Sequence, residues 1–215
     1  TLDITNPESL SLAKHILSEY MQLFSSKYFN LCADETFDLG KGKSKPLAEE
    51  KGVHRLYIDY VKELCEFLVA KGKKPMFWGD IICAQPELIQ ELPKETVCLT
   101  WGYAAEQREH EAKVMAEAGA RQYLCPGVGG WNQWMNLVEN CYKNIKRMCS
   151  YARKYHAEGV LNTDWGDCGH INQPDFSLPG MIYGAVFSWG EDTDRFEELN
   201  EQISHLAYGD RSGKF

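Results

Sequence analysis

The chain has 215 residues, 44% of them hydrophobic, enough for a sizeable core but short of the roughly 250 of a complete (β/α)8 barrel. Lys and Arg number 23 against 31 Asp and Glu, so the net charge of −8 argues against a nucleic-acid partner and suits a neutral substrate. No apolar run approaches the ~20 residues of a membrane span, which argues against a membrane partner.

The first predicted element is a helix. Asn6 caps it, Pro7 takes its first position, and Leu10, Ala13, Ile16, Leu17, Tyr20, Leu23 and Phe24 recur at helical spacing. His15 lies off that stripe and reads as a surface residue. The helix leads into Tyr28–Gly40, read as YFNLCADETFDLG. Residues 28–35 begin as a short aromatic and apolar run, the pattern of a buried strand, and end in adjacent carboxylates, Asp34 and Glu35. Two charges at a buried strand end repel each other, which favours a proton on one of them and so a general acid. The plainer alternative is that both side chains cap the next loop and point into water.

Residues 41–50 are polar, with Gly42 and Pro46, and read as a loop. Its GKGKS lacks the GxxxxGK[ST] spacing of a phosphate loop, whereas a mobile rim suits a barrel site. Val53–Lys71 is a second amphipathic helix, stopped by Gly72, with Leu56, Tyr57, Tyr60, Val61, Leu64, Phe67 and Leu68 inward. Strand 74–80 ends in Trp78-Gly79-Asp80, a short helix follows at 86–92, and strand 96–103 ends around Trp101. Residues 104–118 read as helix, 121–126 as a fourth strand, and a glycine-rich loop then carries Trp131 and Trp134. A long helix is predicted over 136–155 and a fifth strand over 159–167, GVLNTDWGD. Helices over 178–189 and 196–208 close the chain, with Trp189 assigned to the core.

This alternation is the βα pattern of a parallel sheet, and no composition shift marks a second domain across 1–215. No GxGxxG follows a strand, so a dinucleotide fold has no support. Eight cysteines show neither CxxC nor zinc spacing, and free buried thiols in a reducing cytosol are expected. The six histidines form no HxH or HExxH pair, which counts against a metal-dependent hydrolase; no metal and no cofactor is expected.

In order, TNPESL, the apolar run into Asp34-Glu35, strands ending in Trp78 and Trp101, and the late Asp164-Trp165-Gly166-Asp167 resemble the family 20 glycoside hydrolases. These are the β-N-acetylhexosaminidases, and the DLGKGKS loop is most similar to the hexosaminidase D-like members. The resemblance runs from about Thr5 to Trp189. It implies an α/β fold, a portion of a (β/α)8 barrel in which the Asp-Glu strand is the fourth. The chain would then carry strands four to eight, the C-terminal part of the catalytic barrel, truncated at its N-terminus. Two exposed barrel edges would follow, and with them association as a dimer or poor solubility.

The resemblance also implies the chemistry. The enzyme would be a retaining exo-β-N-acetylhexosaminidase that removes terminal β-linked GlcNAc or GalNAc. In the substrate-assisted route the sugar's 2-acetamido oxygen attacks the anomeric carbon, giving an oxazoline. Glu35 is then the acid/base, and Asp34 holds the acetamido N–H. Trp78, Trp101 and Trp165 would wall the sugar, because aromatic rings stack on apolar sugar faces and exclude water. Trp131 and Trp134, in a loop, suit either a site rim or packing. Asp167 would accept from sugar hydroxyls, with Asp164 and His170 as alternatives. The family's tyrosine for the acetamido oxygen has no clean counterpart; Tyr123 precedes the expected place and Trp131 follows it. The competing reading is a non-catalytic sugar-binding or interaction fragment of such a barrel.

Overall fold

A computed structural model describes residues 2–190 and 194–214. The helices are α1 (Pro7–Met21), α2 (Lys45–Lys51), α3 (Val53–Ala70), α4 (His110–Glu117), α5 (Val138–Lys154), α6 (Leu178–Trp189) and α7 (Phe196–Ala207). The strands are β1 (Tyr28–Asn30), β2 (Lys74–Trp78), β3 (Val97–Trp101), β4 (Arg121–Cys125) and β5 (Gly159–Val160). They form one sheet in the order β1-β2-β3-β4-β5, and the pairs β1–β2, β2–β3 and β4–β5 are parallel. This is the expected α/β architecture with a parallel sheet.

The chain divides into two compact units, residues 1–100 with 113–122 and residues 101–112 with 123–215. The core of the first gathers Tyr57, Ile58, Val61 and Cys65 of α3 against Phe77, Cys98 and Met115. The helical spacing of the α3 residues puts them on one face, and that face covers the sheet. In the second unit, Cys141, Tyr142, Ile145 and Cys149 of α5 pack on Tyr183 and Phe187 of α6 and Leu199 and Ile203 of α7. The Tyr142 ring meets Tyr183, Phe187 and Phe196 edge-on at centroid distances of 5.3, 5.3 and 4.9 Å. Such pairs add to burial because a ring's positive edge faces its neighbour's negative face.

Several expectations need correction. The strand predicted over 28–35 stops at Asn30, because Asn30 Oδ1 accepts from the Cys32 amide at 2.9 Å and turns the chain. Strand 159–167 shortens to Gly159–Val160, with one isolated bridge from Thr163 to Gly127. Residues 41–50, expected as a loop, contain a 3-10 turn (Gly42–Ser44) and then α2, with Pro46 in its first turn. The helix expected from 104 begins at His110, because polar side chains take up the backbone groups of 102–105.

The capping of α1 is as expected, with Asn6 Oδ1 accepting from the Glu8 amide at 3.0 Å. Its apolar stripe, however, is only partly covered: Leu10, Ala13 and Leu17 are half-buried, Ile16 and Tyr20 are exposed, and Leu23 and Phe24 lie exposed past the helix end at Met21. Spacing defines a stripe, but burial needs a partner surface. Trp189 is also not a core residue; it is 93% exposed. It lies two residues past the buried Phe187, about 200° further round the helix, so it points outward.

Candidate active site

In the first unit, β1 delivers the chain to the acid pair. Three residues there adopt the left-handed region without being glycine: Cys32 (φ 62°), Ala33 (φ 64°) and Glu35 (φ 48°). Each costs about 1–2 kcal/mol, so neighbours must hold them. Three hydrogen bonds do so. The Trp78 amide donates to the Cys32 carbonyl at 2.9 Å, the Tyr57 hydroxyl to the Ala33 carbonyl at 3.0 Å, and the Glu35 amide to Asp80 Oδ2 at 2.9 Å. Asp34 is half-buried and Glu35 exposed, beside a cavity of about 680 Å3 that Tyr57, Tyr60 and Ser44 also line. That volume is in the range of small-molecule sites.

Burial, helped by the Asp80 charge, pushes the Tyr57 phenol well above its ordinary pKa, so it stays a donor at any working pH. Burial first, then the Asp34 charge, raises the Cys32 thiol. Gly79 is needed between Trp78 and Asp80: a Cβ there would lie 2.5 Å from Cys98 Sγ, while its amide donates to the Leu99 carbonyl at 2.9 Å. Trp78 itself is 5% exposed, so little of its ring is open to a sugar.

The second unit assembles an aromatic cluster around a residue the sequence reading passed over, Tyr103. Its ring stacks on Trp101 at 5.1 Å with 16° between planes, and meets Trp131 edge-on at 4.9 Å and 73°. Its hydroxyl accepts a hydrogen bond from Trp165 Nε1 at 2.9 Å. Three of the five tryptophans considered for the site, Trp101, Trp131 and Trp165, thus converge on one tyrosine. Gly127 makes room for them: a Cβ there would come within 2.6 Å of Trp131 Cη2 and 2.9 Å of Tyr103 Cδ1. All four rings are half-buried, as a stacking surface requires.

Asp167 opens a 3-10 turn (Asp167–Gly169) and is exposed, as is Asp164. His170 is half-buried, in the left-handed region at φ 49°. Trp134, 79% exposed, lies in the loop before α5. Asp80 and Tyr103 were both detectable in principle. Asp80 is a third carboxylate at a strand end, and Tyr103 an aromatic two positions beyond Trp101. Among the described residues no group of three or more His, Cys, Asp or Glu could hold a metal ion, and no helix is long and apolar enough to cross a membrane.

Comparison with known proteins adds a sequence and a structural likeness. A family profile described as glycosyl hydrolase family 20, catalytic domain, matches residues 1–203. A lacto-N-biosidase from Bifidobacterium bifidum is 29% identical over 120 residues, covering 51% of this chain and 10% of that protein. Among solved structures, a β-N-acetylhexosaminidase from Bacteroides fragilis superposes with a TM-score of 0.71 at 18% identity, over 99% of this chain and 46% of its own. An exo-β-N-acetylglucosaminidase from Vibrio harveyi gives a TM-score of 0.67 at 20% identity, over 98% and 36%. The chain therefore spans less than half the length of each of these relatives, and the two structural likenesses show the fold.

Proposed function

The chain belongs to glycosyl hydrolase family 20, by a catalytic-domain match over residues 1–203, and from that premise we propose that it acts as a retaining exo-β-N-acetylhexosaminidase. The reading treats residues 1–215 as strands four to eight of a (β/α)8 barrel. The observation that carries it is Asp34-Glu35 in the segment that follows β1, on a strained backbone held by Trp78, Tyr57 and Asp80. Strain kept in place by three neighbours at a charged pair is the signature of a functional loop.

In the proposed reaction, Glu35 gives its proton to the glycosidic oxygen while the 2-acetamido oxygen of the substrate bonds to the anomeric carbon and the leaving group departs. Asp34 accepts from the acetamido N–H and offsets the positive charge of the oxazolinium. Glu35, now a carboxylate, takes a proton from water as that water's oxygen attacks the anomeric carbon and reopens the ring. Two inversions give net retention. Trp101, Trp131 and Trp165 supply stacking surface for the sugar, Trp78 contributes at most an edge, and Asp167 accepts from its hydroxyls.

Terminal β-linked GlcNAc or GalNAc is the proposed substrate. Eight free cysteines, five of them buried, support a reducing compartment such as the cytosol. The second reading, a non-catalytic sugar-binding fragment, is favoured by one observation: the aromatic cluster is complete without the carboxylates.

The test is hydrolysis of an aryl β-GlcNAc with chelator present, the anomer of the first-formed sugar read by NMR. Turnover with retention, blocked by a thiazoline analogue of the oxazoline, is expected. Binding of GlcNAc without turnover would favour the second reading, and inversion would end the substrate-assisted one.

A further inference from the structure

Helix α5 carries asparagines at 140 and 144, one helical turn apart and hence on one face, with Asn136 just before the helix in the same spacing. An asparagine inside a helix is unfavourable unless its amide has a task, because it competes for backbone hydrogen bonds. Here the tasks are visible. Asn144, fully buried, donates to the carbonyls of Gly102 and Ala104, each at 2.9 Å, and accepts from the Gly127 amide at 3.1 Å. Asn140 donates to the Tyr103 carbonyl at 3.0 Å and accepts from the Ala105 amide at 2.9 Å. Three consecutive carbonyls, 102 to 104, thus end on two side chains of one helix. Asn136 continues the series by donating to the Val128 carbonyl at 3.0 Å.

The segment so gripped has no helix or strand of its own, and its central residue is Tyr103. Tyr103 in turn stacks on Trp101, meets Trp131 and accepts from the Trp165 indole. Gly127, held by Asn144, is the residue whose missing side chain admits Trp131 and Tyr103. We infer that Asn140 and Asn144 are positioning residues: they fix the backbone of 102–105 so that Tyr103 orients Trp165 and keeps the sugar-stacking rings in one cluster. The inference rests on the proposed sugar site for its purpose, but not for its geometry. Core packing alone would be served by leucine at 144. Only amides meet three carbonyls and two amide protons with this spacing, and unmet buried groups of that kind are costly.

The experiment labels the indole nitrogens of the full chain with 15N and follows the Trp165 N–H resonance, identified by its loss in Trp165→Phe. Tyr103→Phe removes the hydroxyl that accepts from Trp165 while keeping the ring, and should shift that resonance. Asn140→Ala should shift it in the same direction, and Asn140→Gln, which keeps the amide, should return it part of the way. In parallel, GlcNAc affinity should fall about tenfold in Asn140→Ala. In a Tyr103→Ala background, Asn140→Ala should cost no further affinity, since it acts through Tyr103. A purely structural role would lower the melting temperature equally in both backgrounds and leave the Trp165 resonance in place. An unmoved resonance in folded Asn140→Ala, or in Tyr103→Phe, overturns the inference. If Asn140→Ala does not fold, Asn140→Asp, which keeps the acceptor and loses the donor, takes its place with the same criteria. If the parent protein binds no GlcNAc, the functional reading fails, while the resonance still decides the positioning.

Discussion

Asp80→Ala is the substitution that most directly probes how the acid is held. Glu35 lies at φ 48°, and its amide donates to Asp80 Oδ2 at 2.9 Å. A hydrogen bond to a charged acceptor contributes about 1.5–3 kcal/mol. Glu35 is exposed, so water replaces part of that loss, and about 1–2 kcal/mol is the fair expectation. The left-handed conformation itself costs about 1–2 kcal/mol, so removing its tether lets Glu35 relax out of position. If the acid must occupy this conformation in the transition state, kcat/KM on an aryl β-GlcNAc should fall about 5- to 30-fold. Asp80→Asn keeps a neutral acceptor and should lose only about threefold, on the difference between charged and neutral hydrogen bonds. A melting curve run beside the assay checks that the fold survives. Wild-type kcat/KM in a folded Asp80→Ala would refute the reasoning. So would equal losses in Asp80→Ala and Asp80→Asn accompanied by equal drops in melting temperature, since the effect would then be one of folding.

Glu35→Gln should abolish hydrolysis of substrates with poor leaving groups and spare activated aryl glycosides, which need little protonation, whereas Asp34→Asn should slow both kinds. Equal losses on both in Glu35→Gln would remove it as the acid. Trp165→Ala should cost more on aryl GlcNAc than Asp167→Ala, because it takes a wall and a hydrogen-bond donor from the Tyr103 cluster; Asp167→Ala should instead narrow the preference between GlcNAc and GalNAc. Unchanged kinetics in Asp167→Ala would promote Asp164 or His170. Tyr57→Phe leaves the Ala33 carbonyl unpaired and should destabilise the fold by about 1–3 kcal/mol in denaturant melts, with a fall in activity that exceeds the loss of folded protein. Alkylation at pH 8 with mass-spectrometric counting should modify the exposed Cys168 first and Cys32, exposed but with its thiol raised, after it. Burial pushes the thiols of Cys65 and Cys141 up to about 12, which leaves almost no thiolate below that pH, and early labelling of either would contradict the packing.

What the sequence determined by itself is what depends on local pattern. The 3.6-residue recurrence in α3, the Asn6-Pro7 start of α1 and the alternation of strand and helix were all legible, because each follows from neighbours a few positions apart. The ordered motifs from Asp34-Glu35 to Trp165-Gly166-Asp167 indicated the family for the same reason, since chemistry constrains residue types along the chain. Burial was a different matter. Ile16 and Tyr20 of α1 and Trp189 of α6 look like core residues by composition, yet all three are exposed, because burial depends on which surface arrives opposite. The end of β1 was hidden too, since Asn30 turns its own backbone and three left-handed residues follow. Tyr103, Asp80 and the two asparagines of α5 acquire their roles through partners 37 to 62 positions away in the chain, as with Tyr103 and Trp165. Periodicity carries no record of such pairings. They exist only once strands and helices have packed and each buried polar group has found a partner.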